Sequence, residues 1–456
     1  MSIYKSYDIR GIYGQEWDSG DARRIGSHLP GLLEAKNILV GRDARASSGE
    51  IFSALSEGIR SSGCDVTAVG LCDTPAIYFA TAYYDFDASV MITASHNPAE
   101  YNGLKISRRR AQPVGYDSGL AELERRVREP AASASSPGKE GTLDIRSDYL
   151  AHLRPFGAGI SGIKAVIDCS DGMAAVFIHD LIRGLDAEIV TMYDTPDGTF
   201  PHHPPNPLDE KNLRDLKERT LKEQADIGLC FDGDADRVMF VDEDGRFVSP
   251  DLIIALLGLY FFSSPRREQG VGSGKVSYDV RSSRSVVDFI RGLGGTPIIC
   301  KVGHSHAKKL LREEDALFGG ELAGHYYFRD NYFCDSAHMA ALIVLSILSR
   351  EKVPLSVLVS RIARYHFSGE INFHVGDKDK IIAAVLREYR ARPGAELTDI
   401  DGIRLDYPDW WFNLRKSNTE PYLRLVLEAE TEEALASHTA ELIARIKTVD
   451  PGATRE

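Results

Sequence analysis

The sequence is poor in cysteine. Six occur in 456 residues, at 64, 72, 169, 230, 300 and 334, with no C-x-x-C pair. That spacing argues against a disulfide framework or a zinc ribbon. Cys230 and Cys300 end apolar runs of buried-strand type, so free, reduced, structural thiols are expected. Long hydrophobic runs are also missing. The longest, "LIIALLGLYFF" from Leu252 to Phe262, has about half of the ~20 residues that a membrane span needs and reads as a core helix. The first residues, "MSIYKSYDIRGIYG", carry neither a basic flank nor an apolar stretch of export-signal type, so the cytoplasm is the expected location. Positive charge is in deficit. A net charge of −13 argues against wholesale binding of nucleic acid or an acidic membrane, because polyanions are repelled at long range. Small anions held by local basic groups remain open.

What is present is length and alternation. Domains usually run to about 100 to 150 residues, so 456 residues predict three or four units. A chain 43% hydrophobic and 27% charged is an ordinary globular one. Short Val- and Ile-rich runs alternate with helix-like patterns: "NILVGRDAR", "ASVMITAS", "IKAVIDCSDG", "ADIGLCFDGD", "GRFVSPDLI", "KVSYDVRSS" and "GTPIICKVGHS". Repeated strand, loop and helix predicts an α/β chain with largely parallel sheets. A strand, polar loop and helix recur near residues 38, 164 and 276, each followed by a second strand that ends in "TASHNP", "FDGDADR" or "GGELAGH". The pattern reads as three related α/β units. Ligands collect at the carboxyl ends of strands in such sheets, so the three loops are expected to face one cleft. "EPAASASSPGKEG", residues 129–141, cannot bury a core and is a boundary or a surface loop. Beyond about residue 365 a separate α+β unit is expected. The predicted boundaries are 1–145, 146–248, 249–364 and 365–456.

Asp232, Asp234 and Asp236 stand at every second position after an apolar run. Three carboxylates that close repel one another unless a cation sits among them, and oxygen-only ligation suits Mg²⁺. A polar strand-end turn and an EF-hand are the rivals. Glu243 is the twelfth residue counted from Asp232, but Arg237 occupies the sixth, where the EF-hand needs glycine. Ser95 follows the strand "ASVMITA", and Asn97-Pro98 then forces a turn. No G-x-S-x-G elbow surrounds it, and adjacent Ser-His residues rarely turn their side chains toward each other, so a hydrolytic pair is a poor fit. A helix cap or a turn serine is the plain alternative. Facing a Mg²⁺ site, the serine is better suited to carry a phosphoryl group, with Arg237 on the phosphate and His96 and Lys105 handling protons. Glu321, in "FGGELAGHYYF", can accept two neighbouring sugar hydroxyls, though this signal alone is weak. Arg415, Lys416, Ser417, Asn418 and Thr419 gather donors in a turn before Pro421 that suits a phosphate. A solvated basic turn competes there, and Trp410 and Trp411 just upstream favour a desolvated anion pocket.

Together these stretches resemble the α-D-phosphohexomutase superfamily, most closely its bacterial phosphomannomutase/phosphoglucomutase branch. The resemblance runs from "YDIRG", Tyr7 to Gly11, to "RKSNTEP". It implies four domains around a central cleft: three of related mixed α/β plan and a fourth, α+β, of TATA-binding-protein-like fold. By the same match Ser95 is phosphorylated and holds Mg²⁺ with Asp232, Asp234 and Asp236, Lys105 and His96 assist proton transfer, and Tyr7 and Arg10 line the site. Arg237 contacts phosphate, Glu321 grips sugar hydroxyls beside His325, and "KVGHS" supplies Gly303 and His304. Arg281 falls where relatives carry a basic substrate contact, and Arg415, Ser417, Asn418 and Thr419 bind the phosphate that is not transferred. One departure concerns sugar preference: Ala323 stands where the branch usually has serine. The "S-N-T" of Ser417 to Thr419 favours mannose and glucose phosphates over the "S-G-T" of phosphoglucosamine mutases.

The resemblance implies an isomerase. Phospho-Ser95 would give its phosphoryl group to a hexose monophosphate, the resulting 1,6-bisphosphate would turn around, and the other phosphate would return to the serine. Hexose 1,6-bisphosphate is the expected activator, hexose phosphates are the partners, and a monomer or weak homodimer is the expected assembly. A phosphoglucosamine mutase, a Mg²⁺-dependent sugar phosphatase using the same serine, and a silent sugar-phosphate-binding protein are the alternatives.

Overall fold

The computed structural model describes residues 2–131, 134–262, 274–417 and 421–455. Three sheets repeat one plan. In the first, Asn37–Arg42 lies between two parallel neighbours, Asp65–Leu71 and Ala88–Ile92, and Tyr101–Arg108 returns antiparallel beside the latter. In the second, Ser161–Asp168 is flanked by Asp186–Met192 and Ile227–Phe231, with Val238–Asp242 returning. In the third, Lys275–Asp279 is flanked by Thr296–Cys300 and Phe318–Gly320, with Tyr326–Phe328 returning. The three related units read from the sequence are present, but their sheets are mixed rather than largely parallel. The reason is loop length. A parallel crossover needs a dozen or more residues, and the links after Ile92, Phe231 and Gly320 are too short, so the next strand must turn back. Those links are the three motif loops, and they occupy equivalent places in the three sheets.

The fourth sheet pairs antiparallel throughout, in the order Glu396–Thr398, Ile403–Asp406, Trp410–Lys416, Leu423–Ala429, Ile371–His374 and Thr454–Arg455. The helices Lys378–Tyr389 and Glu432–Val449 pack against it. Its core is its own, built around Phe373, Val385, Trp410, Phe412, Leu414 and Leu442. The first three units instead share one continuous core that reaches from Leu39 through Tyr149 and Leu229 to Phe318 and Ile343. "LIIALLGLYFF" forms most of the helix Pro250–Phe261, whose residues are nearly all buried in that core. The six cysteines are buried and free. Among the described residues no helix is long and apolar enough to cross a membrane. The stretch 129–141 ends in the strand Glu140–Thr142, which pairs with Asp65–Leu71 as an edge strand of the first sheet, so it belongs to the first unit. Residues 132 and 133 of that stretch lie outside the described residues.

Polar contacts join the fourth unit to the third. Arg404 Nη1 donates to the carbonyls of Val280 at 2.8 Å and Ser282 at 3.2 Å, Arg284 Nη2 reaches Asp406 at 3.1 Å, and the Val302 amide donates to Asp401 at 3.0 Å. Such contacts can be exchanged for water at far smaller cost than an apolar core can be opened, so this boundary is the one suited to movement.

Within the first unit, the helices Ser19–Leu33 and Ser48–Ser61 approach closely at glycines. A Cβ on Gly26 would lie 2.3 Å from Leu55 O, and one on Gly58 would lie 2.1 Å from Arg23 O. Backbone cannot yield there as a flexible side chain would. Gly58→Ala is expected to lower stability by roughly 1–3 kcal/mol through overpacking, read as an earlier urea unfolding transition; an unchanged transition would show that the helices can separate freely.

Candidate active site

The serine loop is shaped by backbone and by one arginine. Ser95 has φ 50, a left-handed conformation that is uncommon for serine, and its amide donates to Thr93 Oγ1 at 3.0 Å. From the end of Asn37–Arg42, Arg45 sends its guanidinium beneath the loop. It donates to Ser95 O at 2.8 Å, Asn97 O at 2.7 Å and Tyr101 O at 3.1 Å, and also to Pro98 O, while its Nε meets Asp43 at 3.1 Å. A planar group with five donors suits several carbonyls at once. The side chain of Ser95 is thereby aimed outward from its own strand and across to the second unit.

There Ser95 Oγ donates to Asp232 Oδ2 at 2.8 Å, across 137 residues of sequence. Asp232, Asp234 and Asp236 are buried and present carboxylate oxygens within 4.8 Å of one another. Lys105, on the return strand of the first unit, places Nζ 2.6 Å from Asp234 Oδ2 and 2.5 Å from Asp236 Oδ2. The aspartate loop is pinned on three sides. Thr74 donates to Asp234 Oδ2 at 2.5 Å, the Met173 amide donates to Gly233 O at 2.9 Å, and Arg237 bridges to His325 of the third unit. Gly233 is required by close approach, since a Cβ there would lie 2.5 Å from Ser95 O.

The electrostatics follow from crowding. Burial, then Asp236 and Asp234, raises the Asp232 carboxyl well above its ordinary value. Although burial opposes its charge, Lys105 and then His325 hold Asp236 down at about 2. Burial likewise opposes charge on Lys105, but Asp234 and Asp236 outweigh it and keep the ammonium above the usual lysine value. His96 is driven well below the usual histidine value by burial, then by Arg237, Arg10 and Lys105, so it is neutral at neutral pH. Its Nδ1 lies 3.3 Å from Ser95 Oγ. The left-handed turn at Ser95 thus brings adjacent Ser and His side chains together after all, although the hydroxyl proton is directed at Asp232. Arg10 reaches the same loop, donating to Asn97 Oδ1 at 2.7 Å.

Asp234 Oδ1 and Asp236 Oδ1 are buried without a hydrogen-bond partner. Two unpartnered carboxylate oxygens, with a third aspartate and a hydroxyl beside them, fit a hard divalent cation that takes oxygen ligands. Among the described residues there are two further buried groups of candidate ligands. In one, His203 bonds Asp168 at 3.0 Å and the Pro204 carbonyl at 2.9 Å, which satisfies both ring nitrogens. The other, Asp236, His325 and Asp335, belongs to the wall of the same site.

Going away from Ser95, that wall is the third unit. Arg237 Nε donates to His325 Nε2 at 2.9 Å, and the other ring nitrogen of His325 lies 2.9 Å from Asp335 Oδ2. Asp335 is in turn held by Lys308 at 2.8 Å, and Lys308 lies 3.7 Å from the centre of the Tyr78 ring of the first unit. Glu321 accepts from the Gly303 amide at 2.5 Å and from Tyr327 OH at 3.0 Å, and burial raises its pKa. Tyr7 packs on Gly303, where a Cβ would lie 2.3 Å from its ring, and donates to Val302 O at 2.8 Å. His304, beside it, has a buried Nδ1 without a partner; burial, then Lys308, pushes its pKa far down. Ala323 is half-buried at the tip of the Glu321 turn.

The Leu322 amide donates to Asp279 Oδ2 at 2.8 Å, and Asp279 accepts two bonds from Arg281 at 3.2 and 2.7 Å. Arg281 reaches Glu370 at 3.4 Å, which Arg415 of the fourth unit reaches at 3.3 Å. The Ser417 amide donates to Tyr422 O at 3.0 Å, whereas Asn418 and Thr419 lie outside the described residues. The tryptophans do not form the wall of an anion pocket. Trp410 faces the core of its own unit, stacked on Tyr407 and His438. Trp411 shares the face of Arg415 but lies four residues along the strand, about 13 Å away, and donates to Glu428 at 2.7 Å. Strand alternation and distance, invisible in an "upstream" position, decide this.

The expected residues therefore stand in series: Ser95, Lys105 and the aspartates, then His325, Glu321 and His304, then Arg281 and Arg415. Sequence reasoning missed Arg45, Thr74, Asp279, Lys308, Asp335 and Glu370. Local sequence offered at most a polar residue near the end of an element, as in "GRDAR", and the partners that Arg45, Thr74 and Glu370 meet more than forty residues away cannot be read from spacing.

Four family models match the chain in order. They are the alpha/beta/alpha domains I, II and III of phosphoglucomutase/phosphomannomutase, at residues 1–132, 147–245 and 249–365, and the C-terminal domain at 370–445. Among curated proteins, a "Phosphohexose mutases" protein of Xanthomonas campestris pv. campestris is 37% identical over 451 residues, 98% of this chain and 99% of its own length. The phosphomannomutase/phosphoglucomutase of Pseudomonas aeruginosa is 35% identical, over 98% of this chain and 96% of its own. A crystal structure of a phosphoglucomutase/phosphomannomutase family protein from Burkholderia thailandensis superposes with a TM-score of 0.87 at 31% identity, covering 99% of this chain and 98% of that one.

If Lys105 is the internal counter-ion of the aspartates, replacing it should favour an external one. Lys105→Met is expected to tighten Mg²⁺ or Mn²⁺ binding by about tenfold or more, since a cation about 4 Å away opposes another even in a polar site. Calorimetric titration with each metal reads this directly, and weaker binding would contradict it.

Proposed function

Because the chain belongs to the phosphoglucomutase/phosphomannomutase family, we propose that its site moves a phosphoryl group between O1 and O6 of a hexose phosphate, by way of phospho-Ser95 and a 1,6-bisphosphate. The observation that carries this reading is the series of three neighbourhoods. A hydroxyl set against carboxylates lies at one end, a carboxylate on a glycine-rich turn in the middle, and a buried arginine cluster at the other end. A hexose with a phosphate at each end has the same order of chemistry, and it keeps that order when it is turned around.

Mg²⁺, held by Ser95, Asp232, Asp234 and Asp236, would supply the charge neutralisation that phosphoryl transfer requires. Arg237, whose Nε lies 3.8 and 3.9 Å from Asp236 and Asp232, is placed to meet the transferred group as well. Proton transfer at Ser95 Oγ involves Asp232, its acceptor at 2.8 Å, with neutral His96 at 3.3 Å beside it. Lys105 is a fixed cation in this reading rather than a base, because its two aspartates keep it charged. Glu321 receives sugar hydroxyls, and Tyr7, Gly303 and His304 shape the wall beside it. Arg415, with Ser417, Asn418 and Thr419, takes the phosphate that stays behind, and Arg281 supports it. Ser95 is 1% exposed, which keeps water from its phosphate ester.

Mannose and glucose phosphates are the proposed substrates, with Ala323 leaving the sugar turn without a hydroxyl donor. Hexose 1,6-bisphosphate is the proposed activator. The protein is read as cytoplasmic, where its six free cysteines stay reduced, and as a monomer or weak homodimer.

Ser95→Ala is expected to abolish interconversion of hexose 1- and 6-phosphates with bisphosphate present, while its thermal unfolding stays as in the parent; turnover at the parental rate would sink the proposal. Release of inorganic phosphate in step with substrate loss would identify a phosphatase instead. Arg415→Ala is expected mainly to raise KM, by roughly tenfold or more, the worth of a charge-assisted hydrogen bond.

A further inference from the structure

Among the described residues, Arg415 is a buried cation short of partners. It is 2% exposed. Its Nη2 lies 3.3 Å from Glu370 Oε2, its Nη1 lies 3.4 Å from Lys416 O, and its Nε is buried with no acceptor among the described residues. A guanidinium in the interior loses its hydration and needs short, directional bonds in return. Two long ones do not provide that. Burial, then nearby Arg281, accordingly lowers the pKa of Arg415.

Glu370 is the one carboxylate with which Arg415 pairs among the described residues, and three arginines share it. Arg424 Nη1 holds Oε1 at 2.9 Å, while Oε2 is divided between Arg415 at 3.3 Å and Arg281 at 3.4 Å. The two oxygens are thus unequally held: one is anchored, and the other is loosely shared. Arg281 has Asp279 as a second partner at 2.7 Å, so release of Oε2 leaves it paired. Although burial opposes its charge, the three arginines keep Glu370 ionised. Glu370 lies near the start of the fourth unit, directly after Gly369 at φ 68 and before the strand Ile371–His374, so its contact with Arg281 ties the third unit to the fourth.

We propose that Glu370 is an internal stand-in for the phosphate group and a specificity-determining residue of this subsite: it pairs with Arg415 before substrate arrives, and its Oε2 is exchanged for a phosphate oxygen when substrate binds. The proposal rests on the reading above that Arg415 receives the phosphate that is not transferred. No covalent bond changes. Glu370 stays on Arg424, Arg281 stays on Asp279, and Arg415 gains an acceptor able to reach its Nε as well. The retained carboxylate then stands beside the phosphate dianion and weakens its hold. That suits a bisphosphate intermediate, which must let go of this subsite in order to turn around. A carboxylate that served only to organise the arginines would act in the opposite sense, because its loss would weaken phosphate binding.

The test is calorimetric titration of the full-length protein with inorganic phosphate at pH 8, taking the binding event that Arg415→Ala abolishes as the one at this subsite. Glu370→Gln keeps the shape and removes the charge, and it is expected to tighten that event at least threefold and to lower KM for glucose 1-phosphate in parallel. Glu370→Ala, titrated alongside, carries the same sign, so a folding defect in one leaves the other to decide. An unchanged or weaker phosphate affinity in a folded variant overturns the proposal. Phosphate titration needs no turnover, so the proposal can fail while wild-type mutase activity stands, and an inactive wild type that shows the threefold tightening counts against the mutase reading alone.

Discussion

Three carboxylates buried within a few ångströms of one another are the constraint on which the arrangement depends. Asp232, Asp234 and Asp236 repel, and neither water nor distance relieves them, because all three are inaccessible. Charge must be brought to them, and the fold does so with help from the neighbouring units. Lys105 comes from the first unit at 2.6 and 2.5 Å, and Arg237 is turned toward them by His325 of the third. Crowding raises the Asp232 carboxyl well above its ordinary value, and among the described residues Asp234 Oδ1 and Asp236 Oδ1 have no hydrogen-bond partner. That arrangement has the ligand chemistry of a hard divalent cation site, and Lys105 and His325 link the aspartate loop to the first and third units.

The repeated sheet plan explains why these loops can meet. In each of the first three units the chain leaves a central strand and turns back at once, so the turn projects from the same edge of the sheet. Three such edges converge because the units share a core, and a short hairpin turn with a pinned backbone is a more precise carrier of a side chain than a long loop. Arg45 and Gly233 supply the local precision, one by binding the carbonyls of the serine loop and the other by having no Cβ. The fourth unit is built differently. It has its own core and meets the third through arginines and carboxylates, contacts that can be exchanged without exposing apolar surface. A site that must admit a sugar, exclude water and then let the sugar turn needs one rigid wall and one movable one.

Legibility differed by residue. The aspartate triplet was legible because its spacing after an apolar run already implies repulsion, and Ser95 because it sits at a strand end before Asn-Pro. Glu321 was weak by sequence and becomes meaningful through the Gly303 amide and Tyr327, partners that no local pattern announces. The expectation that Ser95 and His96 would point apart failed for a conformational reason, the left-handed backbone at Ser95. The expectation for Trp410 and Trp411 failed for a geometric one, since alternate residues of a strand face opposite ways and four residues carry one face well out of contact. Arg45, Asp335, Lys308 and Glu370 went unnoticed because a single charged residue looks solvated until the fold closes over it.

By itself the sequence determined the kinds of groups available, the order of the four motif loops, the α/β character of three units and the change of plan in the fourth. These follow from local periodicity and from short-range repulsion, which depend on neighbours along the chain. Tertiary structure alone decided which charges neutralise which, that Lys105 is paired with both Asp234 and Asp236, and that a carboxylate at residue 370 is shared by Arg281, Arg415 and Arg424. Those outcomes depend on distances between residues from 45 to 131 positions apart and on burial, which strengthens every uncompensated charge.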